Sequence, residues 1–88
     1  MSEIFYKAIF NPIRLKIITC LSKKDLTVNE LIKNCGLSQS AVSQHLSVLK
    51  ASSLVDCSKK GREVTYRLIN KKANKIAETV FDLSKELK

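Results

Sequence analysis

For most of the chain, apolar positions recur with a helical period. Ile4, Phe5, Ala8 and Ile9 fall on one side of a first helix over residues 3–10. Asn11-Pro12 interrupts that pattern. Asn suits a helix cap, and Pro suits the first helical position, where its missing N–H costs nothing. A second helix carries Ile13, Ile17, Ile18 and Leu21 and runs into the polar break Ser22-Lys23-Lys24-Asp25. Thr27, with Glu30 three positions on, predicts a capping box, and Val28, Leu31 and Ile32 form the apolar side of the helix that follows. That helix stops near Cys35-Gly36, where glycine adopts positive φ cheaply. Ser38 caps a fourth helix with a stripe of Val42, Leu46 and Leu49, Ala41 beside it, and an end near Ala51-Ser52-Ser53.

The period then changes. Val64, Tyr66 and Leu68 alternate with Glu63, Thr65 and Arg67, which predicts a half-buried strand, and residues 54–58 precede it as its partner. Lys59-Lys60-Gly61-Arg62 reads as the hairpin tip. Asn70 can cap a last helix whose apolar side holds Ala73, Ile76, Ala77, Val80, Phe81 and Leu87. The expected fold is mainly α with a small β-hairpin, in the order α-α-α-α-β-β-α, as a single domain over residues 1–88.

Charge adds to this picture. The net charge is +8, from 16 Lys and Arg against 8 Asp and Glu. Residues 50–75 hold Lys50, Lys59, Lys60, Arg62, Arg67, Lys71, Lys72 and Lys75 against only Asp56 and Glu63. Such a balance favours a polyanionic partner, a nucleic acid or an anionic membrane surface. The basic residues are spread over a hairpin and a helix start rather than one amphipathic face, which speaks against a membrane. No apolar run reaches about 18 residues. Met1 to Ile4 shows no basic stretch followed by an apolar core, so no signal peptide is read there. Cys20, Cys35 and Cys57 are odd in number and far apart in sequence. Reduced thiols in a cytoplasm are therefore expected, not a disulfide framework.

Two short helices joined by a glycine turn make a helix-turn-helix. Here they span residues 27–35 and 38–51, with Leu37 expected to plug the angle between them. The outer face of the second helix offers Gln39, Ser40, Ser43, Gln44 and Ser47, polar but nearly uncharged. Solvated helix faces are usually rich in Lys and Glu. Short donors and acceptors suit base edges in a major groove, where Gln pairs with adenine. Lys59, Lys60 and Arg62 on a projecting hairpin can meet phosphate or a minor groove, or simply protect a sheet edge. No phosphate-binding glycine loop, nucleophile–base set or paired acid–base carboxylates are present, so no catalytic residue and no cofactor are assigned.

Three segments resemble ArsR-type repressors. Asn11-Pro12-Ile13-Arg14-Leu15-Lys16-Ile17-Ile18 is similar to their N-P-x-R-L-x-I-L signature. The run from Leu37 to Leu49, LSQSAVSQHLSVL, resembles their recognition helix, and Gly61 to Leu68, GREVTYRL, resembles their wing. The resemblance implies a winged helix-turn-helix, dimeric, repressing transcription from an inverted-repeat operator in double-stranded DNA. Gln39, Ser40, Ser43 and Gln44 would then read bases. Thr27, His45, Lys50, Lys59, Lys60 and Arg62 would hold the backbone or the minor groove. The terminal helices carry more apolar surface than one small domain needs. The resemblance pairs them across a two-fold axis through Ile4, Phe5, Ile9, Ile76, Val80, Phe81 and Leu87, with Phe10 on the same helix.

The chain also departs from that family. Where some members carry a Cys-x-Cys metal site, this one has Thr27 and Asn29, poor ligands for soft metals. Its last helix offers Glu78, Asp82 and Glu86 but no His, and His45 is the only histidine. No metal site is therefore expected. Other members sense oxidants through a cysteine on the second helix and one on the last. Cys20 fits the first place and nothing fits the second, so Cys20 is a candidate thiol sensor of an incomplete kind, with burial its default. Two alternatives stay open: a thiol-responsive repressor of the same fold, and a winged-helix module that binds proteins.

Overall fold

The computed structural model describes residues 3–87. The backbone of Ile4 is described but its side chain is not, so its expected place in an interface lies outside the described residues. Eight elements follow in order: α1 (Glu3–Ile9), α2 (Pro12–Lys23), β1 (Leu26–Thr27), α3 (Val28–Cys35), α4 (Gln39–Ala51), β2 (Val55–Lys60), β3 (Glu63–Leu68) and α5 (Lys72–Glu86).

The helix boundaries follow from side-chain chemistry. The Asn11 carboxamide oxygen accepts from the Ile13 and Arg14 amides at 2.9 and 3.1 Å, and Pro12 opens α2. Thr27 and Glu30 complete the capping box: the Glu30 amide donates to Thr27 Oγ1 at 3.2 Å, and the Thr27 amide to Glu30 Oε1 at 3.0 Å. Hydrogen bonds to the carboxyl, first from the Thr27 amide and then from the Thr27 side chain, hold Glu30 below its ordinary range. Gly36 ends α3 at φ +66°, and Ser38 caps α4 through the Ala41 amide. At the end of α4, Ser53 takes φ +63° while the Leu54 amide reaches back to the Leu49 carbonyl. That is a left-handed helix stop built on serine where glycine would cost less. Asn70 Oδ1 accepts from the Lys72 amide at 2.9 Å, but the N-cap place of α5 falls on Lys71, which has no side-chain cap bond, one residue after the cap expected at Asn70.

Two expectations about the sheet are corrected. The sheet has three antiparallel strands in the order β1-β3-β2, not two. β1 is only two residues, pairing Leu26 with Tyr66 and Thr27 with Thr65. Thr27 therefore serves as strand end and helix cap together, and a two-residue segment has no period to detect. Lys59 and Lys60 are paired residues of β2, opposite Val64 and Glu63, so the hairpin turn is Gly61-Arg62 alone. Gly61 has φ +62°, as a two-residue hairpin turn favours.

The core gathers Ile17, Ile18 and Leu21 of α2, Leu31 of α3, Val42, Leu46 and Leu49 of α4, Leu26 and Val55 of the sheet, and Ala73 and Ala77 of α5. Leu37 packs against it between α3 and α4. Ile9 is 2% exposed. It belongs to the core of the single chain, which corrects its assignment to an interface between chains. No described helix is long and apolar enough to cross a membrane.

Candidate nucleic-acid interface

The stripe that anchors α4 fixes what its other side shows. With Val42, Leu46 and Leu49 buried, the 3.6-residue period turns Gln39, Ser40, Ser43, Gln44 and Ser47 outward, and all five are exposed. Their chemistry then divides. Among the described residues, the side chains of Gln39, Ser43 and Gln44 make no hydrogen bond, so their donors and acceptors are free. Ser47 Oγ donates back to the Ser43 carbonyl at 3.0 Å, and Ser40 Oγ lies 3.4 Å from the capping Ser38 Oγ. Ser40 is thus held locally.

The fold brings the start of α3, the start of α4 and the hairpin turn to one place. Thr27, Gln39, Ser43 and Arg62 line a single open cleft of about 230 Å³. Thr27 Oγ1 accepts the capping bond, and its side chain also hydrogen-bonds the Glu30 carboxyl, so Thr27 is held within its own capping box. Lys59, Lys60 and Arg62 are all exposed on the hairpin. Gln44 and these two lysines do not line the cleft. Lys50 sits at the far end of α4, where its ammonium lies 3.3 Å from Cys57 Sγ on β2. That contact is the main cause of a raised Lys50 pKa, so the charge is secure at neutral pH.

His45 lies beside the core stripe and is half-buried. The Arg14 guanidinium approaches its Nδ1 at 3.2 Å. Arginine has only donors, so Nδ1 accepts and the ring proton sits on Nε2. Burial first, and the Arg14 charge second, push the His45 pKa down. The same guanidinium donates through Nε to the Ala8 carbonyl and through Nη2 to the Lys7 carbonyl, each at 2.7 Å. One side chain therefore ties the end of α1 to α2 and to α4.

Sequence reasoning gave Arg14 no role beyond its place in a signature. A signal was available. Arg14 stands in the first turn of α2, where the helix dipole disfavours a cation. A cation kept there points to partners elsewhere, and the carbonyls closing α1 are the negative end of another dipole. The sequence offers Cys35 only as a separate thiol, with no partner. The structure brings its Sγ to 3.8 Å from Cys20 Sγ. Of the residues expected at a two-fold interface, Ile76 and Leu87 are exposed and Phe5, Val80 and Phe81 half-buried. No group of three or more His, Cys, Asp or Glu that could hold a metal occurs among the described residues.

A helix-turn-helix whose second helix shows a polar face beside a basic β-hairpin defines a winged helix-turn-helix protein. The profile of the bacterial regulatory protein, arsR family, matches residues 11–56, and the chain belongs to that family. It is 38% identical over 79 residues to the nodulation protein NolR of Rhizobium meliloti, covering 90% of this chain and 65% of that protein. The chain thus spans just under two thirds of that relative. The crystal structure of the transcriptional repressor BigR from Xylella fastidiosa superposes with a TM-score of 0.81 at 28% identity, covering 91% of this chain and 82% of that one. HlyU from Vibrio cholerae superposes with a TM-score of 0.77 at 36% identity, covering 91% and 87%.

Proposed function

We propose that this chain is a transcriptional regulator, not an enzyme. It binds an inverted repeat in double-stranded DNA as a homodimer and represses the adjoining gene. The observation that carries the reading is the acid-free polar face of α4, with Gln39 and Ser43 in one cleft with Arg62 of the wing. Gln39, Ser43 and Gln44 read base edges in the major groove, with Ser40 as a more constrained neighbour. Thr27, His45 through Nε2–H, and Lys50 hold phosphates, while Lys59, Lys60 and Arg62 take the backbone or minor groove beside them. A protein-binding surface would instead be rich in aromatic and other large side chains.

Dimerisation is supported by the terminal helices. Phe10, just past α1, is 68% exposed, and Ile76 and Leu83 along α5 and Leu87 just past it are exposed too. Phe10, Val80 and Phe81 line one cleft. Contiguous apolar surface of this kind on so small a chain calls for a cover, and a second copy supplies an identical one. Two copies related by a two-fold axis place two α4 helices on half-sites about 10–10.5 bp apart or a multiple of it. A dimer seated across such a site blocks polymerase access, hence repression. A regulator of this kind works in the cytoplasm, where its three thiols stay reduced, and no metal is assigned to it.

The test is fluorescence anisotropy with duplexes from the DNA upstream of its own gene and with scrambled controls, across a salt series. Saturation at two chains per inverted repeat, with clear preference over the scrambled duplex, is expected. Weak binding that ignores sequence and disappears by physiological salt would reduce the interaction to the net charge and reject the reading.

A further inference from the structure

Helices α2 and α3 lie side by side, and two cysteines fifteen positions apart meet between them, with their Sγ atoms 3.8 Å apart. Both are free thiols, and they differ in access. Cys35 is buried. Burial first, and the neighbouring Cys20 second, push its thiol up to about 11, so it stays protonated at neutral pH. Cys20 is half-buried and lines a cleft of about 380 Å³ with Lys23, Lys24, Leu26 and Asn34. A small solute in that cleft meets Cys20 and not Cys35. Cys57 sits apart on β2 with its sulfur against the Lys50 ammonium.

We propose that Cys20 and Cys35 form a dithiol site which a hydroperoxide closes into an intramolecular disulfide, stapling α2 to the end of α3. The Cys20 sulfur attacks a peroxide oxygen, the O–O bond breaks, and the thiol proton leaves with the departing hydroxide as water. The sulfenic acid on Cys20 then meets the Cys35 thiol. An S–S bond forms, the S–O bond breaks, and the Cys35 proton leaves with that hydroxide as a second water. The two thiols lose two electrons, and hydrogen peroxide gains them as it becomes two waters.

Closure has a mechanical consequence. The sulfurs must approach to about 2.05 Å, a movement of roughly 1.8 Å. Cys35 is the last residue of α3, and the left-handed Gly36 that follows sets the direction of α4. The strain of closing therefore falls on the turn that aims α4. On the reading that α4 contacts DNA, on which this consequence rests, the stapled form binds its operator at least about fivefold more weakly, since misplacing α4 forfeits at least one good base contact.

The full chain is treated with hydrogen peroxide, its thiols are titrated, and its linkages are mapped by mass spectrometry. Expected are a fall from three titratable thiols to one and a linkage joining Cys20 to Cys35. The melting midpoint should rise by about 12–24 °C, as a loop of this length predicts, and dithiothreitol should reverse the rise. Cys57→Ser should behave like the parent, and Cys20→Ser and Cys35→Ser should form no intramolecular bond. Three titratable thiols after excess peroxide, or a linkage through Cys57, would overturn the site. Anisotropy with the operator duplex completes the test. A disulfide that forms without changing affinity overturns the regulatory consequence and leaves the site standing. Reduced protein that does not discriminate the duplex would instead reject the DNA-binding reading, and the thiol map would still decide the site.

Discussion

Two surfaces of this molecule rest on one core and use it differently. On α4 Val42, Leu46 and Leu49 are at most 1% exposed and Val48 is half-buried, and what stands outside is Gln, Ser and Lys, with Ala51 at its end. On α5 the arrangement is reversed. Only the small residues Ala73 and Ala77 are fully buried, while Ile76, Leu83 and the Leu87 that follows the helix stand in solvent. Helical periodicity gives each helix an apolar stripe, and it does not say whose atoms cover it. Position along the fold decides that. α4 is wedged among α1, α2, α3 and the sheet, whereas α5 leans mainly on α2. One surface is finished within the single chain, and the other leaves large apolar side chains uncovered.

The sharpest way to break this comparison is to charge the unfinished surface. Phe10→Glu combined with Ile76→Glu touches no fully buried side chain, so circular dichroism should stay that of the parent. Sedimentation should change from dimer to monomer. Affinity for an inverted repeat should fall by about 10²–10⁴-fold, because the second half-site loses its tethered partner. If the variant still sediments as a dimer, the apolar ends of α1 and α5 are not the interface.

A second substitution tests whether the two surfaces are mechanically joined. Arg14 bridges α1, which Phe10 directly follows, to α4, which carries the polar face. Arg14→Leu removes three hydrogen bonds from a charged donor, and chemical denaturation should show a loss of about 2–3 kcal/mol. Operator affinity should drop with it, because α4 loses an anchor behind its contact face. Unchanged affinity in a destabilised variant would mean that Arg14 braces the fold without aiming α4.

Within the finished surface, α4 and the wing should separate by kind of effect. Gln44→Ala should cost about 1–3 kcal/mol at one base pair and relax preference there. Lys60→Ala should weaken all duplexes alike and flatten the salt slope by about one unit. A Gln44 variant with full operator preference would remove that residue from the reading face.

The parts of this molecule that the sequence made legible are those written in local chemistry. Asn11, Thr27, Gly36 and Ser38 each announce a helix boundary through a capping group within three residues, and the structure keeps each one. The polar face of α4 was equally plain, because its periodicity and its lack of charge coincide. What stayed hidden depends on distance. β1 forms because Tyr66 and Thr65 pass alongside Leu26 and Thr27, which two residues cannot signal. Ile9 looked like surplus apolar surface beside Phe10, yet it turns inward to 2% exposure while Phe10 turns out. The proximity of Cys20 to Cys35 and the reach of Arg14 are likewise products of helix packing.

The smallest expected effect concerns pH, and it tests the hinge between the two surfaces. The fold depresses the His45 pKa, chiefly through burial and then through Arg14, so the native state holds the neutral ring. The unfolded chain takes up the proton first, near its ordinary value of about 6.5. Between that value and the lower native one the unfolded state binds more protons, and stability must rise with pH. The contribution is complete above about 6.5 and is lost as pH falls through the native pKa. Glu30 and Asp56 act in a separate, more acidic window, because their carboxyls are held below the ordinary carboxylate range. Urea midpoints measured from pH 7.5 to 5 should therefore decline in the parent, and the decline should flatten in His45→Gln. Protonation also brings a second positive charge against the Arg14 guanidinium and removes the lone pair it donates to. Operator affinity corrected for net charge should then weaken over the same interval. A parent and a His45→Gln variant with identical pH slopes would show that the Arg14–His45 contact does not couple α1 to α4 in solution.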